Sequence, residues 1–305
     1  MYWAMDAGGT RTTALLPDDV RYTRGSVNPA SVGATAAETL RRLLAEIASA
    51  LGGTSPSVGW LASASVTMDT PPAEIDRLAA LARSVGLTGR LVVSGDVPPL
   101  LLAPPSAGRG VLVVAGTGSA FVASAGPDAG PPVVVGGCEY LGSDEGSAYA
   151  LGAAGLRAAA RGADGRGAPT TLFAAEGPRE LARRLAAAPF PKAGVAALAP
   201  AVCAAWQAGD AVAGEVVRAA LDDLVEGVRA AREAAGLAGT WTVALNGGVF
   251  RGCPPYAAEL GRRVVGELGA AEPPTMIADP VGAVYAALVA NDGWPPKGWA
   301  HTRTL

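Results

Sequence analysis

Histidine and cysteine are scarce in this 305-residue sequence, and their scarcity excludes several kinds of active site. His301 is the only histidine and lies in a polar C-terminal stretch, where we expect a solvated side chain. Chemistry built on Ser-His, Cys-His or His-metal groups is therefore not indicated. The three cysteines, Cys138, Cys203 and Cys253, are far apart, so their spacing predicts neither a disulfide framework nor a cysteine metal site.

Charge and long hydrophobic runs are also limited. Charged residues make up 17% of the chain, and the 24 basic and 27 acidic residues give a formal net charge of −3. No basic run interleaved with aromatic residues is present, so a nucleic-acid surface is not predicted. Glycine or charge interrupts each apolar run before the ~20 residues of a membrane span, and the first residues lack the pattern of a secretory signal. We expect a cytoplasmic protein that binds neither nucleic acid nor membrane.

What the sequence does contain is a repeated α/β pattern. Half of its residues are hydrophobic, which favours a compact folded chain, and its length is sufficient for about two domains. Each half begins with a hairpin that has a glycine-rich tip and continues with a third strand, then alternating helices and strands. The apolar residues of 35–51 recur at the spacing of one helix face, so we predict a helix there, and we predict another from about Glu145 to Arg161. Two α/β domains of this plan suggest a nucleotide in the cleft between them.

The first glycine turn covers Asp6 to Thr12 and lies between two short apolar runs. Gly8 and Gly9 can adopt positive φ and direct successive N–H groups toward a phosphate. Asp6 would then face the phosphates, and a carboxylate in that place implies a Mg²⁺ ion between the two negative groups. An ordinary tight hairpin is the alternative interpretation of this stretch taken alone.

A second glycine turn covers Gly116 to Ser119. Together the two turns and the motifs that follow them resemble those of the actin-like ATPase superfamily. Within it, the sequence is similar to the N-acetylglucosamine kinase family of BadF/BadG-type ATPases, which also contains activator ATPases of benzoyl-CoA reductase and 2-hydroxyacyl-CoA dehydratase. Residues 6–10 and 116–119 match the two phosphate motifs, 246–250 the adenosine motif, and 136–149 the block Gly-Gly-Trp-Gly-x-x-x-Gly-Asp-Glu-Gly-Ser. The resemblance implies two actin-like (ribonuclease H-like) α/β domains with a nucleotide cleft between them. It implies that residues 1–95 with 280–305 form the N-terminal domain, onto which the C-terminal helix packs back, and that residues 96–279 form the C-terminal domain.

The resemblance also implies an ATP-dependent sugar kinase, with ATP and Mg²⁺ as its cofactors. Asp96 would be the catalytic base that takes the proton from the primary hydroxyl of the sugar as this hydroxyl attacks the γ-phosphate. Asp96 comes after a short strand and before Pro98, so the alternative is a residue that only caps the next helix.

Further site residues follow from the same motifs, and each group has a structural alternative. Asp144 and Glu145 could merely favour a helix N-terminus, Asn28 could be a pre-proline turn residue, and Gly247 and Gly248 could serve a strand-to-helix turn. The expected nucleotide contacts are Gly8, Gly9, Thr10, Arg11, Thr12, Gly116, Thr117, Gly118, Ser119, Gly247 and Gly248; the expected sugar contacts are Asn28, Asp96, Gly137, Asp144 and Glu145; and Asp6 would hold the metal.

We therefore expect a kinase whose small-molecule partner is an amino sugar or N-acetylated amino sugar, with N-acetylglucosamine and glucosamine as first candidates and a homodimer as a candidate assembly. The sequence departs from the family pattern at residues 63–66 and 138–143, which border the sugar pocket of the family, so the preferred sugar stays open. An activator-type ATPase coupled to a reductase or dehydratase and a non-catalytic sugar-sensing relative are the alternatives.

Overall fold

The computed structural model describes residues 1–52, 56–189 and 191–305 and divides into two compact α/β units. Unit 1 consists of residues 1–110, 124–132 and 279–305, and unit 2 consists of residues 111–123 and 133–278. The expected α/β fold with two domains is confirmed. Residues 96–110, 124–132 and 279, which the sequence assigned to the C-terminal domain, belong to unit 1. There the short helix Pro98–Leu102 packs against the helix Pro280–Ala290.

The elements alternate along the chain as the hydrophobic pattern indicates. The strands are β1 (Tyr2–Ala7), β2 (Arg11–Leu15), β3 (Arg21–Gly25), β4 (Ser57–Ser63), β5 (Gly89–Ser94), β6 (Arg109–Ala115), β7 (Ser119–Ala125), β8 (Val133–Gly136), β9 (Val243–Asn246), β10 (Thr275–Met276) and β11 (His301–Thr304). The helices are α1 (Pro29–Val32), α2 (Thr35–Ala50), α3 (Pro72–Ser84), α4 (Pro98–Leu102), α5 (Glu139–Gly142), α6 (Ala148–Ala163), α7 (Pro178–Ala186), α8 (Pro191–Ala196), α9 (Ala199–Gln207), α10 (Ala211–Ala234), α11 (Gly248–Gly252), α12 (Pro254–Leu268) and α13 (Pro280–Ala290).

The sheet of unit 1 has the strand order β11-β5-β4-β1-β2-β3. Strands β1, β4 and β5 are parallel to one another, whereas β2 is antiparallel to both β1 and β3. In this register Asp6 lies opposite Ala62, and Ala62 lies opposite Ser94. The carboxyl ends of β1, β4 and β5 therefore meet at one edge of the sheet, which is where ligands bind in open α/β sheets.

The sheet of unit 2 repeats this arrangement. Its order is β10-β9-β6-β7-β8, and β9 is parallel to both β6 and β10 while β8 is antiparallel to β7. Each strand thus occupies the place of its counterpart in the series β5-β4-β1-β2-β3 of unit 1. The repeated hairpin pattern in the sequence corresponds to two copies of one strand topology.

The core of unit 1 explains the amphipathic helix predicted over residues 35–51. Helix α2 buries Leu40, Leu43, Leu44 and Ile47 on one face, at the spacing of an α-helix. These side chains belong to an apolar cluster that includes Trp3, which is fully buried. An ideal Cβ at Gly59 would lie 1.9 Å from the Trp3 ring, so a glycine in β4 makes room for the indole.

The C-terminal segment differs from its prediction. His301 was expected in a solvated tail, but it begins β11, which pairs antiparallel with β5 so that His301 lies opposite Val93. Its ring Nε2 lies 3.1 Å from the carbonyl oxygen of Thr67. This strand was not predicted, because a short polar strand at a sheet edge has no alternation of apolar residues to reveal it.

Helix length and composition also bear on membrane insertion. Within the described ranges no single helix has both the length and the apolar content to cross a membrane, although the segments Pro191–Gln207 and Ala211–Ala234, bent by 116°, meet that test as a pair.

Candidate functional site

The first glycine turn joins β1 to β2 in unit 1. Its shape differs from the expected one, because Gly8 does not adopt positive φ and its N–H donates to the carbonyl of Arg11 at 3.1 Å, inside the turn. The side chains of Thr10 and Arg11 and the backbone of Gly9 are exposed. Thr12 is fully buried in β2, and its hydroxyl has no hydrogen-bond partner among the described residues. The exposed residues of the turn, Gly9 to Arg11, are those that can contact a ligand directly.

The loop that carries Asn28 is tied to this turn. Ser26 donates its hydroxyl to the carbonyl of Gly8 at 3.2 Å and accepts a hydrogen bond from the Asn28 N–H at 3.0 Å. Asn28 is half-buried, and its carbonyl accepts from the N–H of Val32 in α1. Asn28 therefore lies beside the first glycine turn, where a ligand contact would require it to be. Its backbone also begins helix α1, which agrees with the alternative that Asn28 is a turn residue.

Asp96 lies just beyond β5 on a segment fixed by hydrogen bonds. The Ser94 hydroxyl accepts from the Trp60 indole N–H and donates to the Gly95 carbonyl, both at 2.8 Å. Asp96 is half-buried, and burial raises the pKa of its carboxyl from 3.8 to about 6. Helix α4 has Val97 at its N-cap and no capping hydrogen bond from that side chain. The capping alternative requires Asp96 to be the N-cap of α4, and Asp96 does not occupy that position.

These features of unit 1 share one sheet edge. From the spacing of neighbouring strands, the Cα atoms of Asp6 and Ser94 are about 10 Å apart. The loop 63–66 lies between them, since the Ala64 N–H donates to the Ala7 carbonyl at 3.0 Å and an ideal Cβ at Gly95 would lie 3.1 Å from the Val66 carbonyl oxygen. The edge thus gathers a glycine turn and two half-buried carboxylates.

The donor groups at this edge fit Mg²⁺ brought by a nucleotide. Mg²⁺ is usually bound in proteins by one or two carboxylates, phosphate oxygens and several waters rather than by a complete protein cage. In the part of the chain that the structure describes, no three His, Cys, Asp or Glu side chains cluster as a metal site. Asp6, half-buried at the end of β1 beside an exposed glycine turn, provides one carboxylate of that kind.

The second glycine turn, between β6 and β7, is anchored to helix α6 in unit 2. The Gly116 N–H donates to the Gly118 carbonyl at 2.9 Å and closes the turn. The N–H groups of Ala148 and Tyr149, at the start of α6, donate to the carbonyls of Gly116 and Thr117 at 2.9 and 3.2 Å. The turn is therefore held by the first residues of a 16-residue helix.

Asp144 and Glu145 bind the other end of this turn. The Ser119 N–H donates to Asp144 Oδ1 at 2.9 Å, and the Ser119 hydroxyl donates to the Glu145 carbonyl at 2.7 Å. The Glu145 side chain is exposed, whereas Asp144 is 3% exposed and its Oδ2 lies 2.9 Å from Lys192 Nζ. Helix α6 begins with Ser147 as its N-cap, not at Glu145 as predicted. The Asp144 carboxylate is thus engaged inside unit 2.

The glycines of unit 2 are required for different reasons. An ideal Cβ at Gly118 would lie 2.4 Å from Asp144 Oδ1, so this position must leave room for the carboxylate. Gly247 has φ of 129°, and an ideal Cβ would lie 2.1 Å from the Ala115 carbonyl oxygen, which agrees with the turn alternative. Gly248 is exposed with open space around it, and Gly137 is exposed with φ of 70°.

Ser143, which departs from the family pattern, and Lys192, which lies outside the family motifs, both make specific contacts. The Ser143 hydroxyl accepts from the Cys138 N–H at 2.7 Å and closes the loop that precedes Asp144. Lys192, one of two lysines in the chain, was not identified from the sequence. Its position in α8 matches no motif. The scarcity of lysine in the chain is the only feature of the sequence that could have drawn attention to it.

Comparison with known proteins identifies related sequences and folds. The model of the BadF/BadG/BcrA/BcrD ATPase family matches residues 5–290. A proposed N-acetylglucosamine kinase from Chromobacterium violaceum is 22% identical, with a TM-score of 0.66 and coverage of 94% of this chain and 98% of the other. One from Porphyromonas gingivalis is 18% identical, with a TM-score of 0.70 and coverage of 96% and 100%. A ROK hexokinase from Thermus thermophilus is 19% identical, with a TM-score of 0.50 and coverage of 94% and 97%. No curated protein sequence matches the chain.

Proposed function

The chain belongs to the BadF/BadG/BcrA/BcrD ATPase family, and we propose that it is an ATP-dependent kinase that phosphorylates the primary hydroxyl of an amino sugar or N-acetylated amino sugar. N-Acetylglucosamine and glucosamine are the first candidates. The observation that carries this proposal is the Asp96 carboxyl, which lies beyond β5 and has a pKa raised to about 6. The proposed N-acetylglucosamine kinases of similar fold support the substrate class.

The raised pKa of Asp96 suits a general base. Such a group is most effective when its pKa lies near the working pH, where it is ionised and still able to take a proton. In the proposed reaction the Asp96 carboxylate accepts the proton of the sugar hydroxyl, the hydroxyl oxygen forms a bond to the γ-phosphorus of ATP, and the bond from phosphorus to ADP breaks. The products are ADP and a sugar phosphate, and Asp96 is left protonated.

The two glycine turns are the proposed phosphate-binding elements. The exposed groups of residues 9–11 and the backbone of residues 117 and 118 are the proposed direct contacts, whereas Gly8, Gly116 and Ser119 shape the turns through their own N–H bonds. Gly247 and Gly248 are the proposed adenosine contacts. Mg²⁺ held at Asp6, directly or through water, would neutralise charge on the phosphates.

The proposed sugar contacts are Asn28, Gly137 and Glu145. Amide and carboxylate groups can bind sugar hydroxyls, and the charged carboxylate makes the stronger hydrogen bonds. Asn28 is half-buried beside the first turn in unit 1, and Glu145 is exposed beside the second turn in unit 2, so each residue is accessible from solvent. Asp144 is already bound to Ser119 and Lys192, and its role is taken up in the next subsection.

The proposal is tested by measuring ADP formation from Mg-ATP with a panel of sugars. The panel contains N-acetylglucosamine, glucosamine, N-acetylmannosamine, glucose and a sample without sugar. We expect an amino or N-acetylated amino sugar to raise ADP formation at least about 10-fold over glucose, because a site built to bond the nitrogen substituent loses those bonds with glucose. If no sugar raises ADP formation, the kinase assignment is wrong.

The activator-type ATPase is the main rival, and its iron–sulfur cluster needs cysteine ligands. A [4Fe–4S] cluster is held by four thiolates. Cys203 and Cys253 are buried and Cys138 is exposed, so two chains that share a cluster would offer two exposed thiols. An anaerobic preparation with about four irons per two chains would favour the activator-type ATPase. A preparation without iron that binds ATP and sugar but forms no ADP would indicate a non-catalytic sugar sensor.

A further inference from the structure

An ion pair between a buried carboxylate and a partly exposed lysine links helix α8 to the second glycine turn. Asp144 Oδ2 lies 2.9 Å from Lys192 Nζ, and the two side chains are 4% and 26% exposed. The other carboxylate oxygen, Oδ1, accepts from the Ser119 N–H at 2.9 Å. A carboxylate taken out of water is costly unless it is paired and hydrogen-bonded. Lys192 therefore supplies the charge that lets Asp144 bind the turn as a carboxylate.

The Asp144 carboxylate contacts this turn at a second position as well. An ideal Cβ at Gly118 would lie 2.4 Å from Oδ1 and 2.8 Å from Oδ2. The carboxylate therefore packs against Gly118 in the space that a side chain at this position would occupy. Asp144 itself has φ of 72°, in the left-handed region that non-glycine residues seldom adopt. Together these contacts fix the backbone of Gly118 and Ser119.

Lys192 reaches Asp144 because α8 packs closely on α6. An ideal Cβ at Gly152 would lie 2.0 Å from the Val195 carbonyl oxygen, so a glycine in α6 permits the approach of α8. The Lys192 Nζ also lies 5.6 Å from the centre of the Tyr140 ring. The helix that anchors one end of the turn thus positions the cation that anchors the other end.

We infer that Lys192 is a positioning residue for ATP binding, which holds the second glycine turn through Asp144 and does not contact the nucleotide. The inference rests on the proposed function, because it takes this turn as a phosphate-binding element. It gives Asp144 a different role from the sugar contact expected from the sequence. Its carboxylate is buried and bound to the turn on one side and to Lys192 on the other.

The test measures the affinity of the purified protein for Mg-ATP and for adenosine, without sugar, by calorimetry. The variants are Lys192→Met, Lys192→Arg, Asp144→Asn and the double variant Asp144→Asn with Lys192→Met. Lys297→Met is the matched control, because Lys297 is the other lysine of the chain and is exposed in unit 1. Circular dichroism reports whether each variant is folded.

We expect Lys192→Met to weaken Mg-ATP about 10-fold or more, since a charge-assisted hydrogen bond to the turn loses its support. Adenosine, which has no phosphate, should bind as tightly as it does to the native protein, and Lys192→Arg should restore most of the Mg-ATP affinity. In the Asp144→Asn background, Lys192→Met should change Mg-ATP affinity less than 2-fold, because the charge that it compensates is gone. Lys297→Met should have no effect.

Other outcomes overturn the inference in distinguishable ways. Equal weakening of ATP and adenosine would show a general structural role for Lys192. An unchanged effect of Lys192→Met in the Asp144→Asn background would show that Lys192 acts on the nucleotide itself. If Lys192→Met does not fold, the comparison of the double variant with Asp144→Asn decides between these possibilities. If the native protein binds no Mg-ATP, the proposed function fails rather than the assignment of Lys192.

Discussion

Replacing Asp96 with asparagine should abolish phosphoryl transfer and at the same time stabilise the protein. Asparagine has nearly the same shape as aspartate but cannot accept the proton of the sugar hydroxyl. The loss of a general base typically lowers the rate by about 10²–10⁴-fold. The gain in stability follows from burial, which opposes ionisation of the native carboxyl and raises its pKa from 3.8 to about 6.

The sign and size of the stability change follow from proton linkage. The native state holds more protons than the unfolded state between pH 3.8 and about 6, so the stability contribution of Asp96 decreases as the pH rises through this window. At pH 7 the whole penalty is present and amounts to about 3 kcal/mol, at about 1.4 kcal/mol per pKa unit. Asp96→Asn should therefore be about 2–3 kcal/mol more stable than the native protein at pH 7 and equally stable near pH 4.

Urea unfolding at pH 4, 5.5 and 7 measures this difference, and a coupled ADP assay measures activity on the same samples. Asp128→Asn is the matched control, because Asp128 is exposed, and it should leave both quantities unchanged. For the native enzyme, we expect kcat to fall about 10-fold per unit below pH 6 as Asp96 becomes protonated. An Asp96→Asn variant with native activity, or with no gain in stability at pH 7, would refute the reasoning.

Three other variants test the site and the fold. Gly118→Ala should raise the KM for ATP about 10-fold or more, because the new Cβ would displace the Asp144 carboxylate. Gly266→Ala is the control and should leave the KM unchanged, because a Cβ at this position has open space. Equal KM values for the two variants would contradict the packing argument. EDTA should stop ADP formation, and excess Mg²⁺ should restore it. Asp6→Asn should raise the half-saturating Mg²⁺ concentration about 10-fold. An unchanged half-saturating concentration would exclude Asp6 as a metal ligand. Asp279→Ala should cost about 1–2 kcal/mol in urea unfolding at pH 7, because Asp279 caps α13 and accepts two hydrogen bonds from Arg21 at 2.9 and 2.7 Å. These bonds lower the pKa of Asp279, so the cost should shrink as the pH falls below about 4, and a pH-independent cost would argue against the ion pair.

Features encoded by local periodicity were predicted well from the sequence. Helix α2 was predicted over residues 35–51 and spans Thr35–Ala50, because four large apolar residues mark one face. The two glycine turns and the strands around them were also located, and their repeated order indicated two α/β domains. Strand β1 extends to Ala7, so Asp6 lies inside the strand rather than after it.

Features that depend on contacts between distant segments could not be predicted in this way. The start of α6 is an example: Gly146 has φ of 72° with Leu224 packed against it, and Ser147 then caps the helix. Asp144 and Glu145 resemble the acidic first turn of a helix in the sequence, yet they precede it and bind the glycine turn. The partner of Asp144, Lys192, is supplied by a helix whose approach depends on Gly152, and no spacing in the sequence records that contact.

The assignment of the last 27 residues to unit 1 has a consequence for synthesis of the chain. Helix α13 packs against β1, and the Tyr2 hydroxyl bonds to Asp292, 290 residues later, at 2.9 Å. All of unit 2 is therefore translated before β1 can receive the helix that covers it. At ~5–20 residues per second this interval lasts about 10 s or more, during which the side of β1 that α13 covers in the folded protein lacks that helix. The nascent chain therefore exposes apolar surface that the folded protein buries.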